Sequence, residues 1–152
     1  MTQFSAERIT EIVGIRVQIE PTAFALAHRK RTPAFLDELQ CLVDSIEEGA
    51  AKKDYYHVLR NDLAFHEKVW ALSGNHTLTQ MLSQLCTPLF AFLMVILSTS
   101  SSPLEERVKS HQILVDAMAG LDEEKVMQEV RNHTQNSWSE WFRFIPQEER
   151  AG

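Results

Sequence analysis

From Ser5 to Phe144 the apolar residues recur at three- and four-residue intervals, and the pattern breaks only at a few punctuated points. That period belongs to amphipathic helices. With only 5 Gly and 5 Pro there is little material for hairpins, so the all-α class follows. The 152 residues fit one domain able to bury a core without staples.

The punctuation divides the chain into six helices. The first runs from about Ser5 to Lys30, with Ile9, Ile12, Val13, Arg16, Ile19, Ala23, Leu26 and Ala27 on or beside one stripe and a bend expected at Pro21. Thr32-Pro33 caps the second, which Gly49 is expected to close. Asp54 opens the third, which continues through Trp70 to a stop at Gly74. The fourth spans about Asn75 to Ser98, with a kink expected at Pro88. Ser102-Pro103-Leu104-Glu105 reads as a capping box opening the fifth, which ends near Gly120. Asp122 caps the sixth, which runs to about Phe144 before Pro146. Residues 1–146 are thus expected to form one helical domain, and 147–152 a frayed tail.

Composition narrows the partners. Fifteen Lys and Arg against 21 Asp and Glu give a net charge of -6, and the only basic cluster, His28-Arg29-Lys30-Arg31, closes a helix where the macrodipole favours cations. No direct nucleic-acid contact is expected from such a chain. No Asp, Glu, Lys or Arg occurs between Lys68 and Glu105. The apolar run there, Pro88 to Leu97, is about half of the roughly 20 residues a membrane span needs. A buried central helix or a subunit interface is expected instead of a membrane segment. Cys41 and Cys86 are isolated, as in a reducing cytosol, and no signal peptide opens the chain; a cytoplasmic protein is expected.

Three helices place histidine on an apolar stripe. Leu59, Asp62, His66, Val69 and Ser73 share one face of the third, so Asp62 and His66 stack one turn apart. His111 follows Leu104 and Val108 and precedes Val115 and Met118 on the fifth. His133 lies among Val126, Val130, Ser137 and Trp141 on the sixth. His111 stands 11 residues before Asp122 and His133 stands 11 after it. An antiparallel hairpin turning there sets the two face to face, each roughly 15 Å from the turn. Three imidazoles and a carboxylate then converge, and a divalent cation would offset the cost of burying them. Spacing alone leaves open the alternative of core histidines and a hydrogen-bonded Asp62–His66 pair. His28, His57 and His76 have no matching partners and read as surface or cap residues.

Asn61-Asp62-Leu63-Ala64-Phe65-His66, followed by Leu72-Ser73-Gly74-Asn75, resembles the D-x-x-F-H…S-G-N signature of the FCD family, the C-terminal effector domains of FadR-type regulators in the GntR class. Arg16-Val17-Gln18-Ile19-Glu20 resembles that family's R-x-x-L-E motif, with Ile19 in the Leu position. His111 and His133 stand at its later histidine positions, although Ser110 replaces a common Glu. The resemblance covers about Ile12 to Ser137 and implies a single antiparallel bundle of six to seven helices, usually a homodimer. In the family's metal-binding branch, Asp62, His66, His111 and His133 are the implied ligands. Zinc comes first as the metal, with Ni, Mn, Fe or Co as alternatives. The implied function is effector sensing and dimerisation for a GntR/FadR-type transcription regulator, with a small organic acid bound at the metal.

The resemblance also implies Arg16 as the partner for the acid's carboxylate, since the family's first-helix arginine often contributes and its fork suits the task; the alternative is half of a structural salt bridge. Family members carry a winged-helix domain ahead of this region, and none is expected in these residues; DNA would be reached only through such a domain. The alternative is a metal-dependent enzyme using the same three histidines and one aspartate. Position 70 is Trp, so His66-Glu67 does not extend to H-E-x-x-H, and Glu67 points about 100° from its neighbour on the helix.

Overall fold

The computed structural model describes residues 5–97 and 104–143. These form six helices: α1 (Ala6–His28), α2 (Pro33–Ala51), α3 (Tyr55–Ser73), α4 (His76–Leu97), α5 (Glu105–Ala119) and α6 (Glu123–Phe142). No strand occurs among the described residues. The result is a single antiparallel α-bundle.

Most helix ends follow from local chemistry. Ser5, Thr32 and Asp54 accept hydrogen bonds from the backbone amides of Arg8, Phe35 and His57. Asn75 Oδ1 and Asp122 Oδ1 accept from Leu78 and Lys125 at 3.1 and 3.2 Å. Each side chain satisfies a first-turn amide that the helix leaves unpaired. Gly74, at φ 71°, ends α3 in the left-handed conformation that costs glycine least. α1 continues through Pro21 and α4 through Pro88.

Two expected boundaries differ. Gly49 does not close α2, which runs on to Ala51. The reversal falls on Lys53 at φ 55°, with Asp54 N donating to Gly49 O at 2.9 Å and Lys53 N to Ala50 O at 3.0 Å. This is a Schellman closure with lysine where glycine is usual. Gly49 is needed for another reason: a Cβ there would stand 2.8 Å from His57 Cδ2 and 2.9 Å from Val58 Cγ2 on α3. It lets two helices approach. The expected caps of α5, Ser102 and Pro103, lie outside the described residues. The described helix starts at Glu105, and Leu104 makes no side-chain cap. The last expected residues of α6 and the tail also lie outside.

α1 packs on α6, α3 and α4, while α3 packs on α2, α1 and α4; α5 bridges α2 and α6. α1 and α3 therefore run through the core. Among the described residues α4 touches only α3 and α1 appreciably, so of the two expected readings, buried central helix or subunit interface, it is not the first. Leu78, Leu82, Cys86, Leu89, Phe90, Leu93 and Leu97 face the core, whereas Met81 and Val95 are exposed. Among the described residues α4 alone has the length and composition to cross a membrane. Its buried face shares one apolar cluster with Phe24, Phe65 and Trp70 from α1 and α3, as a core helix's would.

Candidate metal centre

The three histidine stripes meet where α3, α5 and α6 enclose the core. Asp62, His66 and His111 are almost fully buried, and His133 is 7% exposed. The hairpin of α5 and α6 brings the His111 and His133 rings to 4.7 Å between centroids, edge to face. Nε2 of His66 lies 3.2 Å from Nε2 of His133. Oδ1 of Asp62 lies 3.1 Å from Nε2 of His111 and 3.5 Å from Nε2 of His66. One nitrogen from each histidine falls within 4.8 Å of the others. All four expected ligands are thus brought together, with Asp62 against two of them.

Behind these groups stand two charged residues that the sequence reading did not assign to the centre. Arg107, one turn before His111, donates from Nη1 to Asp62 Oδ2 at 2.6 Å. Its backbone carbonyl accepts from His111 Nδ1 at 2.8 Å, which sets the ring so that Nε2 points at Asp62 Oδ1. Glu20 Oε1 lies 2.7 Å from His66 Nδ1, a short contact too bent to count as a hydrogen bond. A signal for both was present. Arg107 and Glu20 keep register with buried apolar residues, Arg107 with Leu114 and Met118, Glu20 with Val13 and Phe24. A charge in such a stripe must find a buried partner.

Arg16 is buried at 2% exposure and donates from Nε and Nη2 to Glu20 Oε2 at 3.1 and 2.9 Å. The structural salt bridge weighed for it is therefore present. Its Nη1 has no hydrogen-bond partner among the described residues. His28 is buried, not at the surface, and its Nε2 meets Gly120 O at 2.9 Å, capping α5 from α1. His76 is exposed at the start of α4, and His57 is half-buried beside Gly49.

The electrostatics favour ligand-competent forms. Burial would raise the Asp62 carboxyl, but the His111 imidazole, Arg107 and His66 outweigh it and hold it well below the usual range. Burial opposes ionisation of Glu20 too, and Arg16 and His66 prevail to keep it ionised. Burial, then the His111 and His66 rings, push His133 well below 6.5, so it is neutral with a lone pair to offer. Three imidazoles and a carboxylate are the N/O set that zinc and related ions accept. His133 Nδ1 is buried with no hydrogen-bond partner, and two facing Nε2 atoms need a proton or a cation between them. The donor set fits a divalent metal.

Arg16, Asp62, His66, Phe90, His133, Thr134 and Ser137 line a crevice beside the centre, with no room for a water molecule in this conformation. His133 and Ser137 also border an open groove of about 270 Å³ between α5 and α6, edged by Glu106, Lys109, Glu129 and Glu140. Those two side chains separate the crevice from the groove. Glu67, the carboxylate next to a ligand in sequence, is exposed on α3 and borders neither space.

The FCD domain family profile matches residues 11–136. The chain is 26% identical over 118 residues to the HTH-type transcriptional regulator McbR of Escherichia coli strain K12; the match covers 77% of this chain and 53% of that protein. It therefore spans about half the length of this curated relative. The solved structure of E. coli McbR/YncC superposes with a TM-score of 0.81 at 24% identity, over 88% of this chain and 67% of that one. A GntR structure from Streptococcus agalactiae gives 0.74 at 18% identity, over 88% and 58%. Both show the same fold.

Proposed function

The chain belongs to the FCD domain family, and from that premise we propose that it senses a small organic acid at a buried divalent metal for a GntR-type transcription regulator. One observation carries the reading: three histidine nitrogens and Asp62 Oδ1, from three helices, gather around one buried point. Asp62, His66, His111 and His133 would hold the ion, with zinc first and Ni, Mn, Fe or Co as alternatives. Bound there, it would supply a positive pole for a carboxylate. Arg16 supports the same chemistry, because it lines the crevice and keeps Nη1 uncommitted while Nε and Nη2 each donate to Glu20. Thr134 and Ser137 add hydroxyls.

The crevice is closed in this conformation, so an acid must displace part of its wall. His133 and Ser137 form that wall, and α6 carries both. The equilibrium between closed and open α6 can shift by no more than the acid's differential affinity for the two. In this reading a cytoplasmic homodimer passes the shift to DNA through a winged-helix domain, with no nucleic-acid contact from the helical domain itself.

Metal analysis of untagged, chelator-free protein beside the His111→Ala/His133→Ala variant is the test. Near-stoichiometric metal in the parent and none in the variant is expected. Thermal-shift screening of organic acids on loaded protein follows. No metal after reconstitution with zinc, nickel and manganese would return the histidines to core packing and end the sensing mechanism.

A further inference from the structure

The two oxygens of Glu20 serve different helices. Oε2 takes the Arg16 guanidinium of α1 and, at 3.3 Å, the Thr134 hydroxyl of α6. Oε1 takes the Trp70 indole N–H of α3 at 3.0 Å and stands 2.7 Å from His66 Nδ1. A carboxylate buried only to neutralise Arg16 would not need its second oxygen set on the far edge of a ligand histidine. Trp70, one turn after His66, holds that oxygen in place. We infer that Glu20 is a positioning residue for the metal centre: its carboxylate charge, 2.7 Å from Nδ1 of His66, draws the proton to that nitrogen without a formed hydrogen bond and leaves Nε2 facing Asp62, His111 and His133. The inference rests on the metal reading above.

The physical consequence is a more basic Nε2 in one fixed tautomer. Partners of this kind are worth roughly 10–100-fold in metal affinity. Glu20 also ties the centre to α1 and α6 through Arg16 and Thr134. An acid that draws Arg16 away would thus act on the carboxylate behind His66.

Glu20→Gln keeps the shape but strands the buried Arg16 charge, so it is paired with Arg16→Gln/Glu20→Gln, in which both charges are gone. The measurements are zinc affinity by competition with a chromophoric chelator, melting temperature in chelator, and the His66 tautomer by nitrogen NMR of zinc-free protein. The expected result is a zinc Kd about 10–100-fold higher in the double variant, at a melting temperature that shows it folded. Nδ1–H should dominate at His66 in the parent and be lost in the variant. A folded double variant binding zinc within about twofold of the parent, with its tautomer unchanged, would overturn the inference and leave the metal reading standing. A parent that binds no zinc would overturn both. If the double variant does not fold, the parent's tautomer decides, and Nε2–H at His66 would overturn the inference.

Discussion

The two sides of the centre are built differently. On the α3 and α5 side, each donor has a protein group behind it: Arg107 Nη1 on Asp62, the Arg107 carbonyl on His111, and the Glu20 carboxylate beside His66. On the α6 side, His133 Nδ1 is buried with neither a hydrogen-bond partner nor an ion-pair partner among the described residues, whereas His66 Nδ1, also without a hydrogen bond, has the Glu20 carboxylate 2.7 Å away. Preorganised groups give up little freedom when a ligand arrives, whereas a buried unsatisfied nitrogen costs about 1–3 kcal/mol wherever it stands. Three donors form a platform, and the fourth rides on a helix bordering the open groove. α6 is therefore the element on which an incoming molecule has most to gain.

The largest effect that tests this contrast comes from removing the backing. Arg107→Met leaves Asp62 ionised and buried with only imidazoles for company, and breaking a buried pair this way costs about 3–5 kcal/mol. Denaturant unfolding in chelator should show that loss, and saturating zinc should recover part of it by pairing Asp62 again. A variant as stable as the parent in chelator would mean that Arg107 anchors nothing.

The next effect separates the two sides directly. Structural zinc sites bind with about 10–16 kcal/mol in all, so one ligand of four is worth roughly 3 kcal/mol, or about a hundredfold in Kd. His111→Ala, from the platform, should cost that much or more. His133→Ala should cost only about tenfold, because an unbacked ligand is a poorer donor. Equal losses in competition titrations would erase the distinction between the sides.

What the sequence showed and what it hid follow the same division. Asp62, His66, His111 and His133 were legible because each interrupts an apolar stripe, and equal spacing from Asp122 set the last two at one level. Caps at Thr32, Asp54, Gly74 and Asp122 were legible because their chemistry is local. The backing residues were hidden because a charge in a stripe shows that a partner exists without saying which. Glu20 meets His66 across 46 positions, and Arg107 meets Asp62 across 45. Gly49 misled for a related reason: it reads as a stop from its neighbours, but its role lies in the approach of α3. The apolar run of α4 signalled burial, yet composition could not say that its other face would stay open.

The smallest effect is a pH slope, and it singles out the unbacked side. In the unfolded chain His133 takes up a proton near 6.5, while in the folded chain burial and the His111 and His66 rings hold it well below. Between those values the unfolded state binds more protons, so stability rises with pH. Metal-free protein should therefore lose melting temperature as pH falls below about 6.5. The depressed Asp62 and Glu20 carboxyls add to the loss only as pH falls below about 4, where they would protonate in the unfolded chain. The two windows are separate enough to resolve. His133→Asn should flatten the upper slope and leave the lower one intact, read as melting temperature from about pH 7.5 to about pH 3 in chelator. An unchanged upper slope would place the proton uptake on another group and remove the electrostatic side of the contrast, leaving it to rest on hydrogen bonding alone.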